Sequence, residues 1–312
     1  MPLWGFVLCF ITATLWAASP ILVNRGLVES DSTMNEINPI RSISFLVLTF
    51  LAMIVTTKGN IQLVTDARVL AYVALNVLLG YTIGDLFYFM AIRIIGVSLA
   101  VPIANSYPIL VTLTSWVMIG ERVTAQVFFG VAIVVSGLIA LRLGAPPDED
   151  TPSPLDKPVV PGKARLMKGF LFAIVAAVAW SFSAPLNKLA LNRGGLTAME
   201  LTFYRACAFF LITWAIRLFS SLSRKKRIVP LRNVNRKAWL YFSAAAAVGL
   251  CFGSILYATC LRVMPVAVVT AITSTSPFMA ALFGHFVMKE RLTLVQWSGV
   301  VLIIAGSVAV TL

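Results

Sequence analysis

Apolar stretches of about 20 residues, the length a helix needs to cross a bilayer, succeed one another along the chain with short polar breaks between them. They predict ten transmembrane helices. Five fall at residues 3–24, 37–57, 69–92, 95–119 and 124–143, and five at 167–191, 198–220, 238–261, 265–288 and 293–311. The fold class read from this pattern is an all-α integral membrane protein. The stretch from Leu3 lacks the basic segment and small-residue cleavage site of a secretory signal, so it is read as the first membrane helix.

Two polar connections interrupt the pattern. Residues 144–165 are rich in proline and charge and have no apolar periodicity, a linker composition. They divide the chain into a first unit at 1–143 and a second at 166–312. The other connection, 221–237, carries Arg224-Lys225-Lys226-Arg227, then Arg232, Arg236 and Lys237. It reads as a cytoplasmic loop, with anionic lipid headgroups as a further contact.

The two units are related. Residues 71–143 recur in the last 73 residues at a constant offset of 169, which aligns Tyr72 with Tyr241, Gly80 with Gly249, Gly84 with Gly253, Tyr88 with Tyr257 and Pro108 with Pro277. The first two helices of each unit align at an offset of 164, pairing Trp16 with Trp180, Ser19 with Ser183 and Arg41 with Arg205. Five spans per unit is an odd number, so the second unit is turned over in the membrane. Two inverted five-helix repeats are the sequence mark of a secondary carrier, whose substrate site lies between the halves.

Composition agrees. The chain is 59% apolar and 12% charged, against about 25% charged in soluble domains. The net charge of +13 gathers between and at the ends of the spans, as the positive-inside rule requires, and does not form a nucleic-acid-binding face. Alternate connections carry 18 and 7 basic residues. The richer set contains the linker and the 221–237 loop, which predicts both of these in the cytoplasm and both termini outside. Cys9, Cys207, Cys251 and Cys260 sit inside apolar segments without metal-ligand spacing, and one histidine, His285, builds no metal site. Motifs for phosphate binding, zinc hydrolysis or a Ser/His/Asp set are missing, so neither a cofactor nor a metal is expected.

Asp85 is the one carboxylate well inside an apolar span. An ionised carboxylate is costly in hydrocarbon, so such residues face a cavity and mark substrate or proton routes; the competing reading is a structural carboxylate satisfied near the helix end. On the same helix Asn76, Gly80, Gly84 and Tyr88 share a face. The glycines suit close helix packing, while Asn76 and Tyr81 suit a cavity. The fourth span holds Asn105, Ser106 and Tyr107 before Pro108, and the ninth holds Ser274, Thr275 and Ser276 before Pro277. Proline frees a carbonyl mid-helix, and polar groups beside such kinks build transporter sites. Trp16 and Trp180 lie deep in their spans. Asn187, Lys188, Arg41 and Arg205 can each meet an anionic substrate or snorkel to the headgroups, and for Arg41 and Arg205, near helix starts, snorkelling is the favoured reading. Glu121-Arg122 and Glu290-Arg291 are read as turn caps.

The paired tryptophans, the mid-helix prolines and the turns Gly-Glu121-Arg-Val-Thr and Lys-Glu290-Arg-Leu-Thr resemble the drug/metabolite transporter superfamily, in its ten-helix branch with two EamA-type domains. The resemblance implies an alternating-access carrier of small metabolites such as amino acids in a prokaryotic inner (plasma) membrane, working as an exporter, coupled to protons through Asp85, and monomeric or homodimeric. It implies a central cavity, onto which Trp16, Asn76, Tyr81, Asp85, Asn105, Tyr107, Trp180, Lys188, Tyr257, Ser274 and Thr275 are carried. The glutamate that the four-helix drug exporters use in their first helix has no counterpart between Phe10 and Ala18. Ten-helix relatives commonly have both termini in the cytoplasm, opposite to the charge count here. The alternatives are an uptake carrier for a sugar, nucleotide-sugar or organic anion, and, more remotely, a membrane scaffold or enzyme.

Overall fold

The structure, a computed structural model, describes residues 2–30, 34–58, 63–144, 163–224, 231, 234–287 and 292–310. Among these residues the chain is helical and holds no strand. The helices group into ten stretches. In the first half they are α1 (Leu3–Glu29), α2 (Met34–Thr57), α3 (Ala67–Gly96), α4 (97–104 and Tyr107–Ile119) and α5 (Ala125–Leu143). In the second they are α6 (Lys163–Gly194), α7 (Ala198–Arg224), α8 (Arg236–Val263), α9 (Val266–Thr273 and Ser276–Val287) and α10 (Leu294–Ala309). Seven of them, all but α4, α9 and α10, are long and apolar enough to cross a membrane. Large apolar side chains such as Phe50, Leu51, Phe129, Leu211, Phe219 and Val301 cover the outside, the surface lipid requires.

Helix starts repeat with their capping chemistry. Asp66 caps α3 by accepting from the Arg68 backbone N–H at 2.8 Å, and its repeat partner Asn235 caps α8 by accepting from Lys237 N–H at 3.1 Å. Thr124 and Thr293 cap α5 and α10 in the same way, the latter in a reciprocal box with Gln296. The fourth and ninth stretches break just before Pro108 and Pro277, at residues 105–106 and 274–275. The joint between α3 and α4 turns on Gly96, whose φ of 76° favours a residue without Cβ.

Packing follows the repeat. Helix α1 lies against α8 and α9, and its counterpart α6 lies against α3 and α4; α2 pairs with α7, and α5 with α10. Each contact is thus either the image of another or its own image, the arrangement two inverted repeats require. The α5–α10 seam is glycine-lined: a Cβ on Gly137 would stand 2.7 Å from the Gly299 carbonyl, and one on Gly306 2.8 Å from the Gly130 carbonyl. Only small residues let backbones come this close.

Some boundaries differ from the sequence reading. Helix α6 begins at Lys163, inside the segment read as linker, and α2 begins at Met34. The remainder of 144–165 beyond Gly144, most of the 221–237 loop and Glu290-Arg291 lie outside the described residues. Glu121 does act as a cap, though not of its own turn: both of its carboxylate oxygens accept from Val266 N–H at the start of α9, each at 2.9 Å.

Candidate functional site

The third helix of each half changes winding at the same place. Leu78–Gly84 in α3 and Ala246–Gly253 in α8 are π-helical, a local widening that frequently accompanies function. A glycine carbonyl in each widened turn accepts a hydrogen bond from the opposite half. Trp180 Nε1 donates to Gly80 O at 3.1 Å, and Trp16 Nε1 donates to Gly249 O at 3.2 Å. Two further glycines leave room for the indoles: a Cβ on Gly84 would lie 2.3 Å from Trp180 Nε1, and one on Gly253 2.8 Å from Trp16. Tyrosines complete the match, Tyr88 against Trp180 and Tyr257 against Trp16, each with ring centroids 5.1 Å apart.

Between these two tryptophan–glycine contacts lies a cavity of about 400 Å³, within the range of small-molecule sites. Helices of both halves supply its wall. Among the residues expected to form the site, Trp16, Tyr81, Asp85, Asn105, Tyr107, Trp180 and Tyr257 line it. Asp85 opens the regular part of α3 after the π-helical turn, and its Oδ1 accepts a second bond from Trp180 Nε1 at 3.2 Å. Tyr107 stands edge-on to Trp180, 5.8 Å between centroids.

The other expected residues stand elsewhere. Asn76 is buried behind the wall, where its Nδ2 donates to Ser183 O at 2.7 Å and Oγ at 2.6 Å. Lys188 Nζ donates to the carbonyls of Leu261 and Met264, closing the C-terminus of α8; the cation meets the negative end of a helix instead of the cavity. Ser274 and Thr275 return their hydroxyls to Ala271 O and Ile272 O, one turn back on their own helix.

The sequence reading favoured the headgroups for Arg41 and Arg205. The structure turns both into the cavity wall, beside Asn38 and Asn187. Arg205 is 3% exposed; its Nε donates to Asn76 Oδ1 at 3.1 Å, its Nη2 donates to Tyr81 Oη, and its guanidinium lies over the Tyr81 ring, 5.3 Å from the centroid. Their exact pairing under the 164 offset was the available signal, since arginines held only by headgroups have no reason to obey the repeat. Around the cavity, then, stand two guanidinium groups, one carboxylate and a rim of aromatic rings. No group of histidine, cysteine, aspartate and glutamate suited to a metal occurs among the described residues.

Comparison with known proteins adds to this geometry. The profile of the EamA-like transporter family matches residues 3–143 and 167–312. An uncharacterized transporter of Archaeoglobus fulgidus is 24% identical over 96% of this chain and 95% of its own length. The uncharacterized inner membrane transporter YhbE of Escherichia coli is 29% identical over 45% of this chain and 41% of its own length. A solved crystal structure superposes with a TM-score of 0.74 over 99% of this chain and 98% of that one at 16% identity, a likeness of fold.

Proposed function

The chain belongs to the EamA-like transporter family, and from that premise we propose that it is a secondary active carrier that moves a small polar metabolite by alternating access through the central cavity. The observation that carries the proposal is the mirrored pair of tryptophan–glycine contacts that line one cavity from opposite halves. Rocking one half against the other about such contacts exposes a fixed site to each side in turn. Metabolites of amino-acid size suit about 400 Å³. The membrane is the inner membrane of a prokaryote, by likeness to YhbE, with the linker and the 221–237 loop in the cytoplasm.

Export coupled to protons is the working cycle proposed here. Asp85 is the carboxylate of the cavity and is bonded to Trp180, a residue of the opposite half. Gaining a proton removes its charge, weakens its hold on the indole N–H, and so links proton occupancy to the fit between halves. Uptake of an organic anion is the second reading, favoured by Arg41 and Arg205 in the wall.

A stability screen of the purified protein against amino acids, organic acids, sugars, nucleotides and lipophilic cations tests the proposal. A ligand at ten times its Kd adds about 1.4 kcal/mol to a folded state that alone binds it. We expect one chemical class to raise the melting temperature and Trp180→Ala to remove the shift. Shifts that persist in Trp180→Ala, or none from any class at millimolar concentration, would sink this assignment of the cavity.

A further inference from the structure

Arg41 and Arg205 occupy matching positions on α2 and α7, yet their surroundings differ. Arg205 is held by Asn76 and Tyr81. The repeat partners of those two residues are Ala245 and Leu250, whose side chains accept no hydrogen bond. Arg41 Nε is buried without a hydrogen-bond partner. So is Arg205 Nη1, and so are both Nδ2 and Oδ1 of Asn187, a residue 1% exposed in the same wall. Buried polar groups are normally paired; these atoms have almost no accessible surface, so a ligand in the cavity meets the remaining parts of the same side chains, which line it.

Charge narrows the partner. The wall carries two guanidinium groups and one carboxylate, Asp85. Arginine does not shed its proton in proteins, so with Asp85 ionised the wall carries one positive charge in excess. Water cannot balance that charge, whereas an anion does, and a planar fork suits a carboxylate in particular. The remaining wall, with Trp16, Trp180, Tyr107 and Tyr257, suits an apolar or ring-bearing body.

We propose that the cavity recognises a small organic acid of net charge −1 through its carboxylate, with the unheld Arg41 as the principal contact and the fixed Arg205 and Asn187 as its support. This rests on reading the cavity as the transport site and adds the chemical class of the cargo. It also gives the asymmetry a use: the hydrogen-bonded Arg205 keeps the site shaped while Arg41 meets the ligand.

Isothermal titration calorimetry of the full chain in nanodiscs tests it, using acids paired with their neutral amides: lactate and lactamide, benzoate and benzamide, N-acetylphenylalanine and its amide. Glycerol phosphate is added as a phosphate-ester probe. At least one acid is expected to bind about tenfold or more tighter than its amide, the scale of a charge-assisted bond. Arg41→Gln should erase that preference, and Arg41→Lys, which preserves charge and folding, should retain part of it. Equal binding of acid and amide, the same preference in Arg41→Gln, tighter binding of glycerol phosphate than of any acid, or no heat from any acid overturns the proposal. A neutral or cationic ligand that binds in a Trp180-dependent way would remove the carboxylate assignment while leaving the transport cavity standing. Silence from every class removes both.

Discussion

Trp180 and Trp16 begin as the same residue in two halves: each donates its indole N–H across the molecule to a glycine carbonyl on a π-helical turn, and each stacks near a tyrosine 5.1 Å away. Around Trp180 the first half adds Asp85 and Tyr107. At the matching places around Trp16 the second half has Ser254, buried with its hydroxyl unpartnered, and Ser276. The shared contacts join the two halves. The unshared ones carry charge and aromatic surface. In the proposed carrier cycle the shared contacts serve movement and the unshared ones serve chemistry.

The largest effect that would break this comparison is at the unmatched carboxylate. Asp85→Asn is expected to abolish proton-driven flux while Ser254→Ala leaves it near wild type, measured with reconstituted protein under an imposed pH gradient. Equal loss in both variants would mean that the halves contribute alike. Next come the matched glycines. Gly84→Ala and Gly253→Ala each drive a Cβ into an indole, and overpacking of this kind costs about 1–3 kcal/mol. Thermal unfolding should show both variants destabilised, Gly84→Ala more, because its clash is closer and also meets the Leu79 carbonyl.

A third test concerns the arginine that one half alone holds. Asn76→Ala removes the acceptor of Arg205 Nε and the bonds to Ser183; leaving such a buried group unmet costs about 1–3 kcal/mol, so the melting temperature should fall. Ala245→Gly, at the matching position of the second half, should cost less. The smallest effect is at the helix caps. Asp66, held below the ordinary carboxylate range mainly by the Arg68 backbone N–H and further by Arg193, contributes stability that is complete at neutral pH. That contribution is lost as acid protonates the carboxylate, since the folded form holds its proton less tightly than the unfolded one. The stability gap between wild type and Asp66→Ala should therefore narrow as pH falls through the carboxylate range, whereas the gap for Asn235→Ala stays flat.

The repeat made the helical frame legible, because bilayer-length apolar runs and conserved offsets such as Trp16 to Trp180 need no tertiary knowledge. The π-helical turns were not legible. Leu78–Gly84 and Ala246–Gly253 carry no sequence signal for π winding, and the indoles that bond their Gly80 and Gly249 carbonyls come from the other half. Asp85 and the aromatic rim could be found as polar or bulky residues at mid-span. Lys188, Ser274 and Thr275 looked equivalent to them by position, but helix-end carbonyls and their own backbone satisfy them. Arg41 and Arg205 went the opposite way: proximity to helix starts favoured snorkelling over the substrate reading, while the side chains turn inward, toward Asn76 and Tyr81 for Arg205.

The central claim is that one cavity between the halves carries substrate and that Asp85 ties its passage to protons. Its most direct test is proton flux in proteoliposomes holding a pH-sensitive dye, recorded as the organic acid identified by calorimetry is added, for wild type and Asp85→Asn. The account predicts substrate-dependent proton movement in wild type and none in Asp85→Asn, which still binds the acid. Equal proton movement in the two proteins would contradict it.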